Sequence, residues 1–207
     1  MILLSLKDEY SLGEGVIKAD FVDTSSLFFS TEYLTDESFL EKYRDFASGW
    51  ELSQDEEESI LFAGACYQAE KSALRLIARA EQNSLGLTAK LERRGYDSAV
   101  VRAVVSRFLD RNLLDDQRYA ESWSRSRLSL KKAISPQRLL AGLRQRGIDR
   151  NSAGKALDHV LDPETEYALL LKYIDKSLRG KKALHLRAQL KYEGFSSETL
   201  DSFFNQG

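Results

Sequence analysis

Between Arg118 and Arg150 the chain carries nine basic side chains, Arg118, Arg125, Arg127, Lys131, Lys132, Arg138, Arg144, Arg146 and Arg150, against only Glu121 and Asp149. Guanidinium and ammonium groups at that density neutralise phosphates or pair with carboxylates, so the chemistry they point to is recognition of an anion. Groups that make or break bonds are sparse. His159 and His185 are the two histidines, Cys66 is the one cysteine, and no P-loop, dinucleotide glycine fingerprint or zinc-ligand spacing occurs. No enzyme, catalytic residue, metal or cofactor is therefore expected.

Charge is distributed unevenly along the chain. Residues 1–66 hold four basic and fifteen acidic side chains, a net of −11; residues 67–161 hold nineteen and ten, a net of +9; residues 162–207 hold seven of each. The basic middle calls for an anionic partner, and the acidic start for a role in masking it. Cys66 alone forms no intramolecular disulfide, and neither "ILLSL" nor "ILFAGAC" has the length of a secretory or membrane-spanning segment. A cytoplasmic monomer is the expectation.

The elements that position the basic residues follow from a repeat. "LERRGYD" at 91–97, "LRQRGID" at 143–149 and "LKYEGFS" at 190–196 share leucine, three residues, glycine, a bulky apolar residue and a helix-capping residue. Leucine and the residue after glycine are the pair that touch in a Schellman cap, and the final residue caps the following helix. Leu87, Leu139 and Leu186 lie eight residues before the three glycines, and Tyr67, Tyr119 and Tyr167 lie 27 or 28 before them. Val101, Val104 and Val105, then Ala153, Ala156 and Leu157, then Leu200, Phe203 and Phe204 follow at one helical spacing. Each unit reads as three helices. Asp115, Ser135 with Pro136, Asp149, and Asp162 with Pro163 cap successive helices.

On a helical wheel Tyr119, Ala120, Trp123 and Leu130 fall within about 100° of arc, with Arg118, Arg125 and Lys132 opposite. The aromatics are thus expected in the core and the cations outside. Leu139, Leu140 and Leu143 form the buried stripe of the next helix, with Arg144 and Arg146 on its flanks. The candidate contacts are Arg118, Arg125, Lys131, Lys132, Arg138, Arg144, Arg146 and Arg150, joined by Arg93 and Arg94 at the corresponding place in the first unit. A polyanion such as DNA and an acidic protein both fit such a face.

"MILLSLKDEY", "GVIKADFVD" and "SSLFFSTEYL" predict two or three strands, followed by a helix near 36–47. Ser53 and Glu56 form a capping box, and the acids at 55–58 complement the dipole of the helix it opens. The fold class expected is mainly α: three tandem three-helix units forming an elongated array, preceded by a small β-containing segment. The divisions are 1–52, 53–112, 113–161 and 162–207.

"LLDDQRYAESWSRSRL" followed by "SPQRLLAGLRQRGI" resembles the RecX family, bacterial regulatory proteins of the RecA recombinase. The likeness lies in an acidic pair leading into an aromatic helix, then a basic stretch closing on leucine, three residues, glycine and isoleucine, and it weakens outside 113–148. The resemblance implies a non-enzymatic modulator of DNA repair and homologous recombination. It would bind RecA filaments on single-stranded DNA and hinder their growth, ATP hydrolysis and strand exchange. It departs from the family's arginine-rich link at "RAEQNSLGL", where Gly86 is expected to weaken the helix start. The basic face would then meet RecA, single-stranded DNA or both, and the acidic segment would fold back on the basic units.

Overall fold

The three leucine–glycine signatures close three helices in one geometry. In the computed structural model, which describes residues 1–36, 38–44, 49–130, 133–177 and 185–205, Gly95, Gly147 and Gly194 adopt φ of 88°, 82° and 89°. The N–H after each glycine reaches back to the buried leucine: Tyr96 to the Leu91 carbonyl at 3.4 Å, Ile148 to Leu143 and Phe195 to Leu190 at 3.2 Å. The glycine N–H bonds the carbonyl three residues earlier in each case. These are Schellman closures, which need a left-handed residue that only glycine supplies without a steric cost.

The chain divides into two compact units, Met1–Glu81 with Leu87–Leu114, and Gln82–Gly86 with Asp115–Gly207. In the first, strands β1 (Ile2–Asp8), β2 (Val16–Phe21), β3 (Ser26–Ser30) and β4 (Trp50–Glu51) form an antiparallel sheet in the order β3-β2-β1-β4. The two-residue β4, too short to show alternation, was not legible as a strand. Helix α1 (Ser38–Arg44) precedes it, and α2 (Gln54–Ile77), α3 (Ser84–Glu92) and α4 (Ser98–Asp110) make the first three-helix repeat. The capping box of Ser53 and Glu56 opens α2. Leu3, Ala19, Phe21 and Phe29 of the sheet share one core with Ile60, Ala63 and Cys66 of α2 and Val101, Val104 and Phe108 of α4. Gly64 permits this packing, since a Cβ there would stand 2.7 Å from Leu27 Cδ1. Cys66 is core as expected, and burial beside the Glu70 carboxylate pushes its thiol up to about 12.

Within the first unit, acidic side chains of the N-terminal segment pair with the first repeat. Glu32 pairs with Arg107 and, at 2.6 Å, with Arg111, both in the first repeat. Tyr33 donates to Glu70 at 2.6 Å, and the Arg107 guanidinium carbon lies 4.9 Å from the Tyr33 ring centre. Packing of the sheet on α2 brings Glu32 to Arg107 and Arg111, which lie within the basic stretch 67–161.

The second unit holds α5 (Asp116–Leu128), α6 (Pro136–Arg144) and α7 (Arg150–Val160), then α8 (Pro163–Ser177), α9 (Leu186–Tyr192) and α10 (Ser197–Asn205). Each trio has its own core, Ala120, Leu139, Leu143, Ala153 and Ala156 in one, Leu169, Leu170, Leu190 and Leu200 in the other. Asp115, Ser135, Asp149 and Asp162 accept from the helix N–H groups they face. His185 lies just before α9 with a left-handed φ of 76°.

Neighbouring second helices are joined by one device used twice. The Asn83 amide at the start of α3 donates to the Arg146 carbonyl at 2.6 Å, one residue before Gly147. The Gln137 N–H at the start of α6 donates to the Glu193 carbonyl at 2.9 Å, one residue before Gly194. Leu85 covers Gly147, and the Gln137 nitrogen would stand 3.1 Å from a Cβ on Gly194. A Cβ on Gly95 meets nothing within 4 Å. At Gly86, where the sequence suggests a weakened helix start, Asn83 caps the first turn of α3. Asn83 Oδ1 accepts from the Gly86 N–H at 3.1 Å, a position where a Cβ would strike Asn83. Among the described residues no helix is long and apolar enough to cross a membrane.

Candidate anion-binding interface

Helix α5 is positioned by small residues. Ala120 and Ser124 are fully buried and lie in the trio that holds Ala153 and Ala156 of α7, so two helix backbones approach closely. Burial of this narrow face leaves Arg118 and Arg125 exposed on the other side. Asp116, in the first turn, accepts from the Ser84 N–H at 2.7 Å and from its hydroxyl at 2.6 Å. Leu130 departs from the wheel: α5 ends at Leu128, and the Leu130 side chain is 47% exposed while its carbonyl accepts from Lys172 at 2.6 Å.

Trp123 is half-buried rather than a core residue. Its ring edge occupies the space that a side chain on Gly142 would fill, a Cβ there falling 3.2 Å from Cζ2. Two guanidiniums cover the indole, Arg146 with its carbon 4.5 Å from the ring centre and Arg127 at 5.1 Å. Arg146 also donates to the Gly142 carbonyl at 2.8 Å. It is half-buried, in keeping with its place on the flank of the buried stripe. Stacking a guanidinium on an indole face is favourable by about 0.5–2 kcal/mol and leaves its in-plane N–H groups available. Arg127 is the residue that sequence reasoning counted but did not select. Its spacing of four from Trp123 on one helix was the available signal.

The remaining cations differ in their commitments. Arg138, Arg144 and Arg150 are exposed, and among the described residues the side chains of Arg144 and Arg150 have no hydrogen-bond or ion-pair partner. Arg125 lies 3.5 Å from Glu121, which also meets His159 Nδ1 at 3.0 Å. The hydrogen bond from the His159 ring, helped by Gln117, holds the Glu121 carboxyl below its ordinary value. Asp149 is held low by bonds from Ser152 and the Asn151 N–H. Lys131 and Lys132 lie outside the described residues. Arg93 and Arg94 belong to the first unit, where Arg93 bonds the Ala89 carbonyl at 3.0 Å and Arg94 bonds Ser72. In the second unit Arg118 and Arg125 lie on α5, Arg138 and Arg144 on α6, Arg146 in the turn that follows it and Arg150 at the start of α7. No group of histidine, cysteine and carboxylate side chains that could hold a metal ion occurs among the described residues.

Tandem three-helix repeats closed by glycine caps, the middle one rich in arginine, define a helical-repeat protein. The model of the RecX second three-helix domain matches residues 115–157. Regulatory protein RecX of Treponema pallidum is 35% identical over 139 residues, 67% of this chain and 84% of that one. Its counterpart in Halorhodospira halophila is 33% identical over 145 residues, 66% of this chain and 86% of that one. The chain belongs to the RecX family of regulatory proteins. A crystal structure of regulatory protein RecX superposes with a TM-score of 0.67 at 19% identity over the full length of both chains. RecX from Lactobacillus salivarius gives 0.54 at 20% identity, over 69% of this chain and 96% of that one. Those two likenesses concern the fold.

Proposed function

We propose that this chain is a non-catalytic regulator of the RecA recombinase, acting as a cytoplasmic monomer that binds RecA filaments on single-stranded DNA and restrains their growth, ATP hydrolysis and strand exchange. The observation that carries this reading is the arginine surface of the second repeat, held on helices whose buried faces are fixed by Ala120, Leu139, Leu143 and Ala153. Arg144 and Arg150, exposed and uncommitted among the described residues, supply charge to phosphates or to acidic side chains of a filament. Arg118, Arg125, Arg138 and Arg146 extend that surface, Lys131 and Lys132 are assigned to the contact from the sequence, and Arg93 and Arg94 are assigned a supporting contact.

The test is RecA ATP hydrolysis on single-stranded DNA with increasing amounts of the protein. Inhibition by the unaltered chain, lost in the Arg144→Glu/Arg150→Glu variant at unchanged melting temperature, is the expected result. Binding to single-stranded DNA without RecA, with a logarithmic salt slope of about −0.7 per phosphate contact, would instead identify an independent DNA-binding protein. No effect on RecA and no DNA binding would leave a helical-repeat adaptor for an acidic protein.

A further inference from the structure

The second unit, basic in composition, contains an acidic, apolar-floored cavity. Its volume is about 290 Å³, and helices α6, α7 and α8 contribute its walls together with the loops around Gly194 and Ser196. Leu140, Leu157 and Leu161 supply apolar surface, Asp158 and Glu166 supply carboxylates, and no lysine or arginine lines it. Glu166 is buried, yet its oxygens accept only from neutral groups: the Ser196 N–H at 2.7 Å and the Ser196 and Thr199 hydroxyls at 2.6 Å. Among the described residues no cation pairs with it. A carboxylate offers about four acceptor positions, so these three bonds leave one open. Asp158 is exposed on the α7 side of the cavity. Gly154 keeps the space open, because a Cβ built there meets nothing within 4 Å.

We infer that this cavity receives a lysine or arginine side chain of a protein partner, its aliphatic stem against the leucines and its charged head toward Asp158 and Glu166. Long basic side chains bury their methylene stems along apolar surface while keeping the head among polar groups, and this cavity offers both parts. A phosphodiester backbone would be repelled by the two carboxylates. The inference is independent of the role of the arginine surface and fixes a second contact of opposite charge on the same unit.

The test is an NMR titration of the ¹⁵N-labelled full chain with Nα-acetyl-lysine methylamide, and with Nα-acetyl-norleucine methylamide as its neutral counterpart. Saturable shifts at Gly154, Asp158 and Ser196 are expected, about tenfold weaker with the norleucine probe because the charged hydrogen bonds are lost. Gly154→Leu fills the cavity while removing a glycine from a helix interior, so it should abolish the shifts and hold or raise the melting temperature. Asp158→Asn should weaken binding several-fold. Equal binding of both probes, shifts that survive Gly154→Leu, or no saturable shift with the lysine probe would each overturn the assignment.

Discussion

Replacing Gly147 by alanine tests whether the repeat junction, and not the helix cap alone, accounts for the glycine. Alanine in the left-handed region costs about 1–2 kcal/mol wherever it is placed. Gly95→Ala should show that cost and little more, since its Cβ enters open space. At Gly147 the new Cβ falls 2.9 Å from Leu85 Cβ and 3.1 Å from Leu85 Cγ. The Leu85 tip can rotate away, but its Cβ is fixed to α3, whose start is held by the Asn83 bond to Arg146. Overpacking of this kind adds about 1–3 kcal/mol, giving about 2–5 kcal/mol in all. Urea denaturation followed through Trp123 in a Trp50→Phe background reads the second unit, and the complementary background reads Gly95→Ala in the first. Leu85→Ala removes the Cγ and Cδ atoms from the encounter, so the double variant should recover about 1 kcal/mol as coupling energy. Equal losses at Gly95 and Gly147, with no coupling to Leu85, would refute the junction.

Three further outcomes follow from the same geometry. Trp123→Ala should cost about 2–4 kcal/mol, at or below the usual range for a large core truncation because the indole is half-buried, and should broaden the NMR signals of the Arg127 and Arg146 side chains that rest on it. Burial acts to raise the Glu56 pKa but is outweighed by hydrogen bonds from Lys42, Tyr43 and the Ser53 N–H, which hold it at about 2 against an ordinary 4.5. Its contribution to stability is therefore complete above about pH 4.5 and is lost as pH falls toward 2, and Glu56→Gln should flatten the acid limb of an unfolding profile in that window. Glu32→Ala should lower the melting temperature of the first unit by leaving Arg107, whose side chain is 15% exposed, with a poorer set of partners, and hydrogen exchange in β3 and α4 should rise with it.

The features legible in the sequence were those whose cause lies within one or two helical turns. The Schellman pairs at Leu91, Leu143 and Leu190, the caps at Asp115, Ser135 and Asp149, and the apolar faces of α4, α6 and α7 each depend on residues a few positions apart. The exposure of Arg118 and Arg125 followed from the same periodicity. What escaped was tertiary. Asn83 meets Arg146 across 63 residues, Ser135 meets Glu193 across 58, and nothing in either local pattern announces the other. The wheel placed Trp123 by apolarity, but a wheel carries no information about Gly142, whose missing side chain admits the ring edge and draws Arg146 onto its face. Glu166 stands in the first turn of α8, where nothing local marks it for burial. Its burial depends on Ser196 and Thr199, thirty or more residues away.

Arg146 gives the basic surface a property that a count of charges does not convey. A lysine or arginine waving in solvent must surrender rotamer freedom when it meets an anion, at a cost of about 0.5–1.5 kcal/mol for each side chain immobilised. Seated on Trp123 and tethered to the Gly142 carbonyl, Arg146 has surrendered much of that freedom already on folding. In the role proposed for this surface, the contribution of Arg146 is entropic as much as electrostatic. Lysine at this position would keep the charge, lose the flat stacking plane, and return the ordering cost to the moment of binding.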